Sequence, residues 1–174
     1  ARIRRQAEAY LRRICGDRVR VRAAAFDLFE GIELEGVRIW APGDPADTPL
    51  LAADRVILHH NPAALLTLGR LQPTEVVIVG ATVTPVSDEA GFGSNARRWI
   101  EALQRRAPGG RGFPGQPPPL RVRDSRLRSV QVHAGLREVH ELPLEVTGGM
   151  ADARTYVLNA EAREYAFQFV WDLR

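Results

Sequence analysis

The side chains best suited to metal or proton chemistry are the four histidines of this 174-residue chain. His59 and His60 are adjacent inside an alternating run, so on a strand their rings point to opposite faces and do not share an ion. His133 and His140 flank a Gly-containing turn with no cysteine or paired acid at zinc spacing, and they read as ordinary surface residues. No metal and no cofactor is expected. Gly91-Phe92-Gly93-Ser94-Asn95 lies between a strand and a helix, where phosphate loops lie. It lacks the third glycine, the Lys-Ser/Thr pair and the downstream acid, so a turn with a helix cap explains it. There is no Gly-x-Ser-x-Gly elbow. The acids are spread along strands opposite arginines, as cross-strand partners are, rather than paired as an acid/base couple. These residues give no reason to expect an enzyme.

Cationic chemistry is the remaining possibility. Every one of the 24 basic residues is Arg, and the formal net charge is +3. An all-Arg composition matches the codon bias of a GC-rich genome and is no sign of nucleic-acid binding by itself. Arg18, Arg20 and Arg22, and later Arg121, Arg123, Arg126 and Arg128, alternate with Val and Leu as the solvated face of amphipathic strands. No aromatics interleave for bases to stack on, so nucleic acid is not an expected partner. Arg2, Arg4, Arg5, Arg12 and Arg13 cluster on one helical segment. They read either as a solvated helix face or as guanidinium groups at a membrane surface, each worth about 1 kcal/mol against anionic head groups. The lone Cys15 reads as a small buried hydrophobe.

The elements that position these residues follow from periodicity. Ile3, Ala7, Tyr10, Leu11 and Ile14 recur at helical spacing and Gly16 stands where a helix C-terminus favours glycine, which predicts a helix over 2–15. From Arg18 the period changes to two, giving a half-buried strand from Val19 to Phe29. Glu30-Gly31 then suggests a tight hairpin into a second run of Ile32, Leu34, Val37 and Ile39, closed by Ala41-Pro42-Gly43-Asp44-Pro45. Leu50 to His60 is a third strand. Asn61-Pro62 breaks it and starts a helical turn over 63–68. Thr74 to Val86 is β-branched and reads as a fourth strand. Asn95 caps a helix with apolar positions Trp99, Ile100 and Leu103.

Residues 106–119 are Pro- and Gly-rich and read as an exposed loop or linker. Strand patterns follow over 120–133, 138–147 and 156–174, the last alternating Phe167, Phe169, Trp171 and Leu173. An apolar edge of that kind invites pairing with further chain or another protein. The only methionine is Met150, so the chain reads as a piece of a longer polypeptide, and no run approaches the ~20 apolar residues of a membrane span. With 45% hydrophobic residues it can bury a core. The expected fold is α+β and β-dominated: an amphipathic helix, then a curved, mostly antiparallel sheet with one or two short helices packed on it. Residues 1–105 form the helix plus a β module, and 120–174 extend the same sheet.

The order of elements carries a resemblance. A short basic helix, then Phe26-Asp27-Leu28-Phe29-Glu30-Gly31-Ile32-Glu33-Leu34-Glu35-Gly36-Val37, then Pro49-Leu50-Leu51-Ala52-Ala53-Asp54-Arg55-Val56, then Leu65-Leu66-Thr67-Leu68-Gly69-Arg70-Leu71, a strand, and Gly91 to Asn95 before a helix, resembles the N-terminal region of AsmA-like proteins of the bacterial envelope. The resemblance spans about residues 3–104. It implies an inner-membrane anchor upstream, a periplasmic β-sheet body with an apolar groove, and kinship with bridge-like proteins that carry phospholipid between membranes. Membrane phospholipids are then the expected partners, at the periplasmic face of the inner membrane. Val19, Val21, Ile32, Leu34, Val37, Ile39, Val56, Leu58, Val77 and Val79 are the candidate groove lining, and the arginines of the first helix are the candidate membrane-surface residues. Shielding one acyl chain of about fifteen methylenes is worth on the order of 12 kcal/mol. A groove crossing strands advances only ~4.8 Å per strand, so about eight strands hold a lipid without bridging a periplasm. The alternative is a structural subunit of a membrane complex whose last strand, through Phe167, Phe169 and Trp171, augments a partner's sheet.

Overall fold

The computed structural model describes residues 2–68, 73–88, 93–106, 117–152, 154–163 and 165–172. Helix α1 (Arg2–Cys15) is followed by strands β1 (Val19–Arg20), β2 (Ala23–Asp27), β3 (Gly31–Ile39) and β4 (Leu51–His60), and by helix α2 (Pro62–Leu68). Next come β5 (Pro73–Val83), β6 (Val86–Ser87), α3 (Ser94–Arg106), β7 (Leu120–His133), β8 (Leu136–Met150), β9 (Thr155–Ala162) and β10 (Tyr165–Asp172). The protein is α+β and β-dominated. One ten-stranded sheet runs β1-β3-β4-β5-β7-β8-β9-β10, with β2 also paired to β3 and β6 to β7.

Local chemistry explains the element ends. α1 stops at Gly16, whose φ of 103° takes the left-handed cap and whose N–H donates to the Arg12 carbonyl at 3.1 Å. The β2–β3 hairpin is closed by Asp27 Oδ1, which accepts the N–H groups of Phe29 (2.7 Å) and Glu30 (2.8 Å). Asn61 Oδ1 caps α2 by accepting from Ala63 (3.0 Å) and Ala64 (3.2 Å), with Pro62 in the first turn. All ladders are antiparallel except β5–β7 and β6–β7, which are parallel because the chain returns through α3, the crossover that parallel strands require. The proposed linker at 106–119 lies on this crossover, and its residues 107–116 are outside the described residues.

A crease crosses the sheet. Pairing skips the rung of Gly36, Asp54, Gly80 and Asp124: Glu35↔Arg55 is followed by Val37↔Ala53, Arg55↔Val79 is flanked by Ala53↔Ala81, and Val79↔Arg123 is followed by Thr82↔Arg126. Gly36 (φ 58°), Gly80 (φ 65°) and Asp124 (φ 52°) are all left-handed there. On the neighbouring edge the line passes through Arg22, between β1 and β2. Strand alternation therefore turns over at the crease. Residues three apart, such as Val21 and Ala24, Leu34 and Val37, Ala53 and Val56, and Ile78 and Ala81, meet one core. This is why the single strand expected over Val19–Phe29 is two strands; the run Thr74–Val86 divides into β5 and β6 separately, at Thr84–Pro85, where proline has no N–H to give to a ladder.

α1 and α3 pack on one face. Ala7, Leu11, Cys15 and Trp99 sit on the core of Val19, Val21, Leu34, Val37, Ile39, Ala53, Ala81 and Val122. Two polar contacts fix α1: Glu8 Oε1 accepts the Val21 N–H at 3.0 Å, satisfying a donor at the crease, and Trp99 Nε1 donates to the Cys15 carbonyl at 2.6 Å. The run predicted as one strand over 156–174 is a hairpin of β9 and β10, paired from Tyr165↔Ala162 to Asp172↔Thr155. Alternation continues through both strands, and only the residues at 163–164 interrupt it.

Candidate functional site

The face that carries the core continues beyond the two helices. Register places Val122, Val146 and Ala160 on one rung and Leu120, Gly148 and Leu158 on the next, with Met150 opposite Tyr156. Leu120 and Val146 still pack against the core under the helices. α1 packs on β1, β2 and β3, and α3 on β6; among the described residues no helix makes more than marginal contact with β8, β9 or β10. Met150, Tyr156, Leu158 and Ala160 are therefore only half-buried. With Leu120 they form an apolar shelf two strand spacings wide from β7 to β9, ~10 Å.

Two details shape this shelf. Gly148 leaves space for the Tyr156 ring, since a β-carbon there would approach the phenol oxygen to 2.6 Å and two ring carbons to 3.1 Å. Tyr156 Oη in turn donates to the Pro118 carbonyl at 3.2 Å, and burial of the ring pushes its phenol pKa up. On the opposite face of β8 and β9, the rungs of Thr147 with Asn159 and Gly149 with Val157 line an open depression of about 290 Å³.

The groove candidates divide into three groups. Val19, Val21, Leu34, Val37 and Ile39 are buried in the core, and Ile32 and Val56 pack against it, so α1 already fills the space over them. They are core and not open lining. Leu58 shares their face as the register partner of Ile32 and Val76, and is half-buried. Val77 and Val79 flank Ile78, which packs on the core, so they project from the opposite face beside Arg121 and Arg123. Alternation identifies an apolar face. It does not say which helix covers it, and it fails across a crease.

The basic helix is likewise partly committed to the sheet. Its apolar side faces the core, which leaves Arg4, Arg5 and Arg12 exposed, with Arg4 Nη1 donating to the Arg22 carbonyl at 3.5 Å and Arg12 3.7 Å from Glu8. Arg2 and Arg13 belong to α1, but their side chains are outside the described residues. Phe167, Phe169 and Trp171 are the register partners of Ala160, Leu158 and Tyr156, and their side chains also lie outside the described residues. Among the described residues β10 pairs only with β9, which leaves its other edge open.

Several polar roles were not legible in the sequence. Arg18, read as part of a solvated face, donates to the carbonyls of Ala41 (3.1 Å) and Asp44 (2.7 Å). Arg98 holds the same loop from α3, through Asp44 at 3.3 Å and the Pro42 carbonyl at 3.0 Å. Asn95, read as a cap, is a clamp: fully buried, it accepts from the Val86 N–H (2.8 Å) and donates to the Thr84 carbonyl (3.0 Å). Ser94 Oγ bonds Asp88 at 2.8 Å, so the Ser-Asn pair is consumed inside the fold; Gly91 and Phe92 are outside the described residues. A polar pair at the start of a helix was the only available signal.

His59 and His60 do separate: His59 Nδ1 meets the Glu30 carbonyl at 2.9 Å, while the His60 ring stacks on Phe26 with centroids 5.7 Å apart. His133 and His140 are exposed. Among the described residues no three His, Cys, Asp or Glu side chains come together as a metal cluster. No described helix is long and apolar enough to cross a membrane. The class defined by fold and face is a β-dominated α+β module whose apolar sheet face is roofed by two helices at one side and, among the described residues, by no helix at the other. No family model matches the sequence, and no curated protein matches it.

Proposed function

We propose that this chain is a non-catalytic module of an AsmA-like protein of the bacterial envelope, anchored at the periplasmic face of the inner membrane, and that it contributes an apolar face to lipid transfer or envelope biogenesis. The observation that carries the reading is the unroofed stretch of the core face. Leu120 and Val146 pack against the core, and among the described residues the same face runs on without a helical cover through Leu158, Tyr156 and Met150. A shelf ~10 Å wide shields part of one acyl chain, which fits a section of a lipid path better than a closed carrier. The test is native mass spectrometry of the purified chain. Co-purified phospholipid is expected, and Leu158→Asp should abolish it while circular dichroism stays unchanged. A lipid-free wild type would refute the reading.

The second reading, a structural subunit of a membrane complex, is favoured by the open edge of β10, where unpaired N–H and C=O groups are a template for another strand. Hydrogen exchange in the intact assembly separates the two. Protection of residues 165–172 beyond that of the isolated chain supports the subunit, and unchanged exchange counts against it.

A further inference from the structure

We propose that the outer edge of β8 pairs with the same edge of a second copy of this chain, about a two-fold axis at Val139. β8 is longer than the strand beside it. Glu145 to Met150 pair with β9, whereas Leu136 to Leu144 pair only with β7 among the described residues. Their outward backbone groups are a template for another strand. Pro143 sets the direction of those groups. It sits in an unbroken ladder, between Ser125↔Leu144 and Leu127↔Leu142, which a residue without an N–H does only with its nitrogen turned away from β7. By alternation Glu141, Val139 and Arg137 also turn their N–H and C=O outward.

The side chains of this edge complement themselves. In antiparallel pairing centred on Val139, Arg137 stands opposite the partner's Glu141, Glu138 opposite the partner's His140, and Leu136 opposite the partner's Leu142. The ladder to β7 extends these pairs into rows. One row is Arg128, Glu141 and the partner's Arg137, an acid between two bases, and the row at the axis is Val130 and Val139 with their two copies. Glu141 meets Arg126 at 3.7 Å and Arg128 at 3.5 Å, yet its side chain stays 48% exposed. Glu138 lies 3.8 Å from His140, while Arg137 is exposed and has no ion pair among the described residues. Leu136 at 72% and Val139 at 41% are the apolar side chains that the pairing covers. The neighbouring registers fit worse: centred on Glu138, the two glutamates oppose each other, and centred on His140, Arg137 meets proline and Glu138 meets leucine.

The inference stands apart from the lipid and β10 readings, neither of which uses this edge. The test is sedimentation velocity of the full chain over a concentration series. So small an interface gives a weak dimer, with Kd between about 10 µM and 1 mM. Arg137→Glu and Glu141→Arg each set like charges opposite one another at both ends of the pairing, and each should raise Kd at least about tenfold. An equimolar mixture of the two, both folded by circular dichroism, should dimerise as the wild type does, because each new charge then faces an opposite one. Where Glu141→Arg does not fold, cross-linking decides. Val139→Cys chains meet at the axis and should be joined by a short bis-maleimide, whereas Leu136→Cys chains, roughly 20 Å apart across it, should not. A wild type that stays monomeric to about 1 mM, single variants that dimerise as the wild type does, a folded mixture that stays monomeric, or equal cross-linking at both positions overturns the proposal.

Discussion

Replacing Asn95 by alanine removes the clamp that ties the first turn of α3 to the segment between β5 and β6. The side chain is 0% exposed and makes two long-range hydrogen bonds, to the Val86 N–H at 2.8 Å and the Thr84 carbonyl at 3.0 Å. Each bond contributes about 1 kcal/mol net, and each orphaned buried partner costs about 1–3 kcal/mol when nothing replaces the amide. The expected loss is therefore about 3–5 kcal/mol, a large share of a stability of roughly 5–15 kcal/mol. In urea, with a slope of about 2 kcal/mol/M, the unfolding midpoint should fall by about 1.5–2.5 M. Asn95→Asp is nearly isosteric and refines the test. It keeps the acceptor for Val86 but sets a carboxylate oxygen against the Thr84 carbonyl. Its folded state should favour the protonated acid, which donates as the amide did, so its folded pKa is raised. Stability relative to wild type is then lost as pH rises through the carboxyl range and regained as pH falls. A loss below about 1 kcal/mol for Asn95→Ala, or an Asn95→Asp deficit that ignores pH, would refute the reasoning.

Other consequences are equally direct. His60 is 4% exposed and among the described residues neither ring nitrogen has a hydrogen-bond partner, so His60→Leu should raise the urea midpoint by removing a polar-burial cost of about 1–3 kcal/mol. Gly80→Ala forces a left-handed alanine at φ 65° and sets its β-carbon 3.1 Å from the Asp54 β-carbon and against the Asp54 carboxylate. It should cost about 1–2 kcal/mol from backbone strain alone, with a further cost that Asp54→Gly relieves in a double-mutant cycle. Burial pushes the Cys15 thiol from 9.0 up to about 11. The folded state thus holds its proton longer than the unfolded chain, so stability is level below pH 9 and declines as pH rises from 9 through 11. Thiol titration with a disulfide reagent at neutral pH should be slow in buffer and fast in denaturant.

Much of the fold was legible because local physics wrote it. The 3.6-residue spacing of Ala7 and Leu11, ended by Gly16, located α1, and Asn61-Pro62 located α2, since caps and fixed backbone angles act within a few residues. The period-two runs located most strands for the same reason. The hairpin of β9 and β10 was hidden because alternation survives a tight turn, and a four-residue polar signal was absent. Which apolar residues are open was not legible at all. Val21 and Leu158 have the same sequence signature, yet one is buried in the core against which Leu11 and Trp99 pack and the other is only half-buried. Roofing depends on where α1 and α3 land, and that is set by contacts as distant in sequence as Trp99 to Cys15 and Glu8 to Val21. The sequence by itself determined the apolar stripes, the basic helix and seven strand runs, three of which the structure divides in two to make ten strands. Only the tertiary structure decided which side of the sheet each stripe faces, because the crease at Gly36, Asp54, Gly80 and Asp124 inverts alternation in neighbouring strands together. A rung of that kind exists only once the strands are aligned.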